Sequence, residues 1–123
     1  MACYKARAEA VRHAEVYRGA FAISVCPSEN VESPTIVGAQ AANELLNIIG
    51  IKASFVLTEY NGKIYISSRS IDEINVQLIM ERLGGGGHLN VAGAQLKDCT
   101  IVQAKHAIMD TLDEMLKEGD IQE

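Results

Sequence analysis

One segment of the sequence is unusual for a residue stretch that only supports a fold. It contains four consecutive glycines, Gly84, Gly85, Gly86 and Gly87, followed by His88. A single glycine after a helix is explained by capping, but a run of glycines costs backbone entropy and suits a chain that bends tightly or approaches another group closely. Successive amides in such a loop can form a concave nest for phosphate oxygens, to which the histidine adds a hydrogen bond. The segment therefore predicts a phosphate site, and a flexible surface loop is the competing interpretation.

A second cluster of polar residues, Ser67-Ser68-Arg69-Ser70, stands at the end of a predicted strand. A guanidinium fork with short hydroxyl donors suits a phosphodiester. Taken alone, the segment is more simply explained as an exposed strand end. Asn75 follows, and it either caps the next helix or faces the site. We predict Arg69, Ser70 and Asn75 as substrate-binding residues, together with the glycine run and His88.

The elements that must position these residues follow an α/β pattern. Helices are predicted where apolar residues recur at helical spacing between capping signals: over 4–17 with Gly19 as the cap, between Ser33 and Gly50, from Val76 to Leu83, and between Thr100 and Gly119. Short apolar runs predict strands over 21–26 and 94–97. The predicted order is α-β-α-β-β-α-(glycine loop)-β-α, a mixed β-sheet with helices packed on it.

The dipeptide Asn61-Gly62 is the clearest local signal, because it favours a type I′ hairpin between the runs 51–60 and 63–69, which are rich in β-branched and aromatic residues. A two-residue loop fixes the register of the two strands, so Ser54 should face Arg69. This register places Arg69 on the side of the sheet with more polar groups, from which it can reach a ligand.

The composition argues against several classes of protein. The 123 residues carry a net charge of −5, which argues against a domain that clamps DNA or RNA mainly by releasing counterions. The cysteines Cys3, Cys26 and Cys99 form no Cys-x-x-Cys pair, so free thiols in a reducing compartment are predicted. No apolar run approaches the length of a membrane span, and no spacing of histidines and carboxylates predicts a metal centre in this chain.

The stretch from Ile74 to Gln95, which contains the Gly-Gly-Gly-Gly-His motif, resembles the C-terminal DHH-associated domain of the DHH phosphoesterases. More narrowly, it is similar to the version in bacterial cyclic di-AMP phosphodiesterases that carry a degenerate GGDEF domain and a DHH domain. The similarity continues upstream through Pro34-Thr35-Ile36-Val37, Lys52-Ala53-Ser54-Phe55 and Ser67-Ser68-Arg69-Ser70, so it covers most of the chain.

The resemblance implies that residues 1–123 are a single substrate-binding domain, a fragment of a longer protein whose metal-binding DHH domain is absent from the chain. It implies Mn²⁺ in that DHH domain and no cofactor in this chain. The expected partners are the DHH domain of the same parent and a cyclic dinucleotide or short oligonucleotide, and a homodimer is a further candidate. The expected location is the cytoplasm, as part of a membrane-anchored parent.

The leading function is therefore the substrate-binding domain of a metal-dependent cyclic di-AMP phosphodiesterase, a signalling hydrolase, with the chain inactive when isolated. Arg69, Ser70 and the loop from Gly84 to His88 would hold the phosphate and nucleotide against the two-metal site, with His88 also catalytic. Three alternatives stay open. They are a nanoRNase-like domain acting on oligonucleotides or adenosine bisphosphate, a nucleic-acid-binding module, and a structural or dimerisation domain in which the glycines only form a tight turn.

Overall fold

The computed structural model describes residues 2–71 and 73–122, which alternate between helices and strands. Within these residues the helices are α1 (Ala2–Arg12), α2 (Pro34–Leu45), α3 (Val76–Arg82) and α4 (Ile101–Glu118). The strands are β1 (Glu15–Tyr17), β2 (Phe21–Val25), β3 (Ala53–Tyr60), β4 (Lys63–Ser70), β5 (Gly86–Gly87) and β6 (Val91–Lys97). They form one mixed sheet in the order β1-β2-β3-β4-β6-β5, in which only the β2–β3 pair is parallel. The predicted fold class is confirmed.

Helices cover different parts of the two sheet faces. Helices α1 and α2 pack on the face that carries Ala22 and Val56, whereas α3 and α4 pack on the opposite face around Phe55 and Leu57. On the first face, β6 and the adjoining side of β4 stay accessible to solvent. We call this region the open face; its side chains and glycine positions are Tyr65, Ser67 and Arg69 of β4 with Val91, Gly93, Gln95 and Lys97 of β6.

The hairpin that carries Arg69 forms as predicted. Asn61 and Gly62 have φ angles of 52° and 75°, the left-handed conformations that a type I′ turn requires. Strands β3 and β4 pair in the predicted register, with Ser54 opposite Arg69. A local signal therefore determines which face of the sheet carries the arginine.

The first predicted helix is too long. Helix α1 ends at Arg12, and residues 15–17 form the edge strand β1, which pairs with β2. Gly19 does not cap a helix, because it has a φ of 72° in the turn between these two strands. Val16 and Tyr17 favour strands, and pairing with the buried strand β2 satisfies backbone groups that a helix would otherwise use. Tertiary pairing here outweighs the helix propensity of the segment.

Three other boundaries differ from the prediction. Helix α2 ends at Leu45, five residues before the predicted stop at Gly50, and Ile49 beyond it is fully exposed, so no core contact prolongs the helix. Strand β6 begins at Val91 instead of Ala94, because the predicted glycine loop contains β5, which pairs with it. The start of α4 is confirmed, with a capping box between Thr100 and Gln103.

Cys3, Cys26 and Cys99 are free thiols, as expected, but only Cys26 is buried, whereas Cys3 is exposed. Cys26 is buried between β2 and α1, where burial raises the pKa of its thiol to about 11. Within the described residues, no helix combines the length and apolar character needed to cross a bilayer.

Candidate functional site

The first two glycines of the run end helix α3. The N–H of Gly84 donates to the carbonyl of Glu81 at 3.1 Å, and the N–H of Gly85 donates to the carbonyl of Met80 at 2.8 Å. Gly84 has a φ of 84°. These two bonds, with a left-handed residue after the helix, form a Schellman motif. Two of the amides that the predicted phosphate nest would use are therefore already bonded, and a nest of four free donors does not form.

The remaining glycines let the chain lie against β6. A Cβ atom at Gly85 would lie 2.1 Å from the carbonyl oxygen of Gly93, and one at Gly87 would lie 2.5 Å from the Cα of Ala92. Gly87 also has a φ of 149°, which residues with side chains rarely adopt. The run is not a free surface loop, because Gly86 and Gly87 form a strand pair with β6.

Strand pairing brings His88 and Arg69 into one row across the sheet. Arg69 of β4 lies opposite Val91 of β6, and the N–H of His88 donates to the carbonyl of Val91 at 2.7 Å. Residues that oppose one another in a sheet point to the same face, so Arg69 and Val91 lie on the open face, and the backbone bond sets His88 beside Val91 at its edge. Neighbouring strands are about 4.8 Å apart, which separates the backbones of Arg69 and His88 by roughly 10 Å. Two of the predicted site residues are therefore neighbours in space.

Arg69 is a half-buried cation without an acidic partner in the described part of the chain. Its Nη1 donates to the carbonyl of Ser68 at 2.9 Å, and no described carboxylate forms an ion pair with it. Burial lowers the pKa of the Arg69 guanidinium, yet an arginine stays protonated at neutral pH. A partly desolvated positive charge on an open face attracts an anion, and its forked N–H groups fit two phosphate oxygens.

Ser70 is placed differently from the prediction, because consecutive residues of a strand point to opposite faces. Its hydroxyl is buried on the face away from Arg69, where it donates to the carbonyl of Ile74 at 2.6 Å and accepts from the Nδ2 of Asn90 at 2.9 Å. Its backbone N–H donates to the carbonyl of Asn90 at 3.1 Å. In this structure Ser70 is therefore engaged inside the fold, where it ties the turn after His88 to strand β4.

Asn75 and Asn90 hold the helix and the turn that flank the site. The side-chain oxygen of Asn75 accepts the N–H of Leu78 at 3.3 Å, so the capping alternative for Asn75 is confirmed. The N–H of Val76 donates to the carbonyl of Leu89 at 2.9 Å, which fixes the turn to the start of α3. Asn90 was not predicted from the sequence; the one available signal was the preference of asparagine for turns.

The described residues include no group of three or more histidine, cysteine, aspartate or glutamate side chains arranged to hold a metal ion. What the open face presents instead are donors and positive charge: the guanidinium of Arg69 and a row of polar side chains along β4 and β6, with the exposed residue His88 at its edge. This chemistry is suited to binding phosphate groups.

The sequence matches the model of the DHHA1 domain family over residues 20–118. It is 44% identical over 108 residues to the cyclic-di-AMP phosphodiesterase PdeA of Listeria monocytogenes, covering 87% of this chain and 16% of that protein. It is 38% identical over 120 residues to the cyclic-di-AMP phosphodiesterase GdpP of Geobacillus thermodenitrificans, covering 97% of this chain and 18% of that protein. The chain thus spans less than a fifth of the length of either relative.

The fold is similar to a solved structure, the crystal structure of an exopolyphosphatase-related protein from Bacteroides fragilis. The TM-score is 0.80 and the sequence identity 21%, and the match covers 93% of this chain and 35% of that one. The similarity confirms the mixed sheet with helices packed on both of its faces.

Proposed function

The chain belongs to the DHHA1 domain family, and we propose that it is the substrate-binding domain of a metal-dependent phosphodiesterase that acts on cyclic di-AMP. The relatives PdeA and GdpP support the choice of substrate, since both are described as cyclic-di-AMP phosphodiesterases. The observation that carries the proposal is the row on the open face in which Arg69 and His88 flank Val91.

In the proposed site, Arg69 binds the scissile phosphate. Its guanidinium donates two parallel hydrogen bonds to non-bridging oxygens, which orients the phosphodiester and stabilises negative charge that develops during the reaction. His88 donates a further hydrogen bond to a phosphoryl oxygen from the other side of Val91. The hydrogen bonds of Ser70 and Asn90 keep the two side chains at a fixed separation.

In the proposed enzyme, a DHH domain outside this chain would bind the Mn²⁺ ions. Such ions supply an activated water and stabilise the attacking and leaving oxygens. The residues of this chain contribute binding and orientation of the phosphate, so the isolated chain binds substrate without hydrolysing it. The cytoplasmic location and the membrane-anchored parent belong to the same proposal.

The test is a titration of the isotope-labelled chain with cyclic di-AMP, linear di-adenylate and a mixed-sequence oligonucleotide, each at two salt concentrations. We expect cyclic di-AMP to shift the amide signals of Gly87, His88 and Arg69. Arg69→Ala should weaken binding about tenfold or more, because a charge-assisted hydrogen bond contributes roughly 1.5–3 kcal/mol. Arg12→Ala is the matched control, since Arg12 is an exposed arginine on α1 that is paired with Glu9.

The other outcomes separate the alternatives. Tighter binding of linear di-adenylate than of the cyclic ligand would favour an oligonucleotide or adenosine bisphosphate phosphoesterase. Binding of the oligonucleotide that falls steeply with salt would favour a nucleic-acid-binding module. An unchanged affinity in Arg69→Ala, or no response of His88 and Arg69 to any of the three ligands, would contradict the proposed function.

A further inference from the structure

A cleft of about 460 Å³ lies on the open face, beyond the row of Arg69 and His88. Neither of those residues lines it. Its lining includes Tyr65 and Ser67 of β4 and Gly93, Gln95 and Lys97 of β6, with Thr35 of α2 beside them. At the end of the cleft nearest Arg69, Ser67 faces Gly93, and Gly93 faces Gly86, so that row carries no bulky side chain. The volume is within the range of small-molecule sites.

Two lysines oppose each other at the end of this cleft. Lys63 of β4 pairs with Lys97 of β6, and Lys97 lines the cleft. Like charges directly opposite one another destabilise an antiparallel pair. The chain has a net charge of −5, yet none of the carboxylates that the structure describes forms an ion pair with either lysine. An anion bound between the two ammonium groups would remove this repulsion.

The next row of the cleft is suited to a nucleobase. Tyr65 lies opposite Gln95. The Tyr65 ring contacts Tyr60, with ring centroids 6.4 Å apart and tilted by 48°, and Tyr65 also lines the cleft. Aromatic rings of this kind are stacking surfaces for bases. The exposed amide of Gln95 forms no hydrogen bond with the described residues, and a glutamine amide pairs well with the donor and acceptor edge of adenine.

We propose that Lys63, Lys97, Tyr65 and Gln95 form a second binding site, which takes a nucleoside phosphate. The phosphate lies between the two lysines, and the base stacks on Tyr65 with its edge at Gln95. These residues are separate from those of the proposed phosphodiester site, so the two proposals can fail independently. Lys63 and Arg69 are about 20 Å apart along β4 at 3.3 Å per residue. This separation exceeds the distance between adjacent phosphates of a dinucleotide, so the ligand of the second site is a free mononucleotide.

The test uses the whole chain with adenosine 5′-monophosphate and, separately, with inorganic phosphate. We expect the monophosphate to shift the signals of Lys63, Tyr65, Gln95 and Lys97, and to bind more tightly than phosphate. The double variant Lys63→Gln/Lys97→Gln should weaken its binding about tenfold or more. Tyr65→Leu should weaken binding of the nucleotide without changing that of phosphate. Lys5→Gln, at an exposed lysine of α1, is the control for the loss of a charge.

A melting experiment tests whether the lysine variants bind less ligand because they unfold. Because the two lysines repel each other, Lys97→Gln should not lower the melting temperature. Arg69→Ala tests whether the two sites are separate. Because the lysine pair lies far from Arg69, this variant should leave the affinity for adenosine 5′-monophosphate unchanged.

Three results would overturn the second site. They are no response of the wild-type chain to adenosine 5′-monophosphate, shifts confined to Arg69 and His88, and an unchanged affinity in the double lysine variant. A chain that binds the monophosphate at Lys97 while Arg69 and His88 respond to no ligand would instead contradict the phosphodiesterase proposal alone.

Discussion

Ser70 and Asn90 are joined by two hydrogen bonds, one from the Asn90 amide to the Ser70 hydroxyl at 2.9 Å and one from the Ser70 N–H to the Asn90 carbonyl at 3.1 Å. Ser70 directly follows Arg69, and Asn90 lies two residues after His88. The pair therefore connects the backbone segments that carry the two side chains of the proposed phosphodiester site. Because the Ser70 hydroxyl lies on the opposite side of the sheet, the pair leaves the open face free for the proposed ligand.

We expect Asn90→Ala to destabilise the domain by about 1–3 kcal/mol, because the buried Ser70 hydroxyl loses a donor. The turn at 88–90 should also exchange its amide hydrogens faster. Urea unfolding and hydrogen exchange measure the two effects. The control is Asn43→Ala, at an exposed residue of α2. An equal response of both variants would show that the Asn90 side chain does not stabilise the turn.

Gly85→Ala and Gly86→Ala should differ sharply in stability. A Cβ at Gly85 would lie 2.1 Å from a backbone oxygen, whereas one at Gly86 would meet no atom within 4 Å. We expect Gly85→Ala to lower the free energy of unfolding by about 2 kcal/mol or more, and Gly86→Ala to change it by roughly 0.5 kcal/mol or less. Denaturant titration of the two proteins measures this, and similar midpoints would mean that the close approach of Gly85 to β6 is not needed for stability.

Stability should fall at alkaline pH because of Cys26. Burial raises the pKa of its thiol to about 11, above an unfolded value of about 8.5. The unfolded chain therefore loses this proton first as the pH rises, and the contribution of the thiol is complete below pH 8.5 and lost through about pH 11. Urea unfolding between these values should show a decline of up to about 3.5 kcal/mol in the wild type relative to Cys26→Ala, since the two pKa values lie about 2.5 apart and each pKa unit corresponds to about 1.4 kcal/mol. Parallel pH profiles for the two proteins would be the contrary result.

Local signals predicted much of the fold. The Asn61-Gly62 turn determines the β3–β4 register without help from the rest of the chain, and the capping box at Thr100 determines the start of α4. Strand β1 could not be predicted in this way, because its partner is the buried strand β2 and its own sequence continues a helical pattern. Pairing with a neighbouring strand decided its structure.

The site was predicted only in part, for reasons that differ between its residues. Arg69 and His88 become neighbours through the pairing of both segments with β6, which no short-range pattern reveals. Because side chains alternate along a strand, the sequence could already have placed Ser70 and Arg69 on opposite faces of the sheet. The glycine run was predicted as a donor nest, but the end of α3 uses the amides of Gly84 and Gly85. The glycine run allows the chain to pack closely against β6, and this role could not be predicted without knowing which strand lies beside it.

The two edge strands of the sheet are also its shortest, β1 with three residues and β5 with two. A long, flat edge strand offers unpaired N–H and carbonyl groups to another chain and is a common starting point for aggregation. Here the eight-residue strands β3 and β4 are enclosed in the interior of the sheet. The same glycines that lie beside the proposed ligand site therefore also keep this exposed edge short and limit the addition of foreign strands.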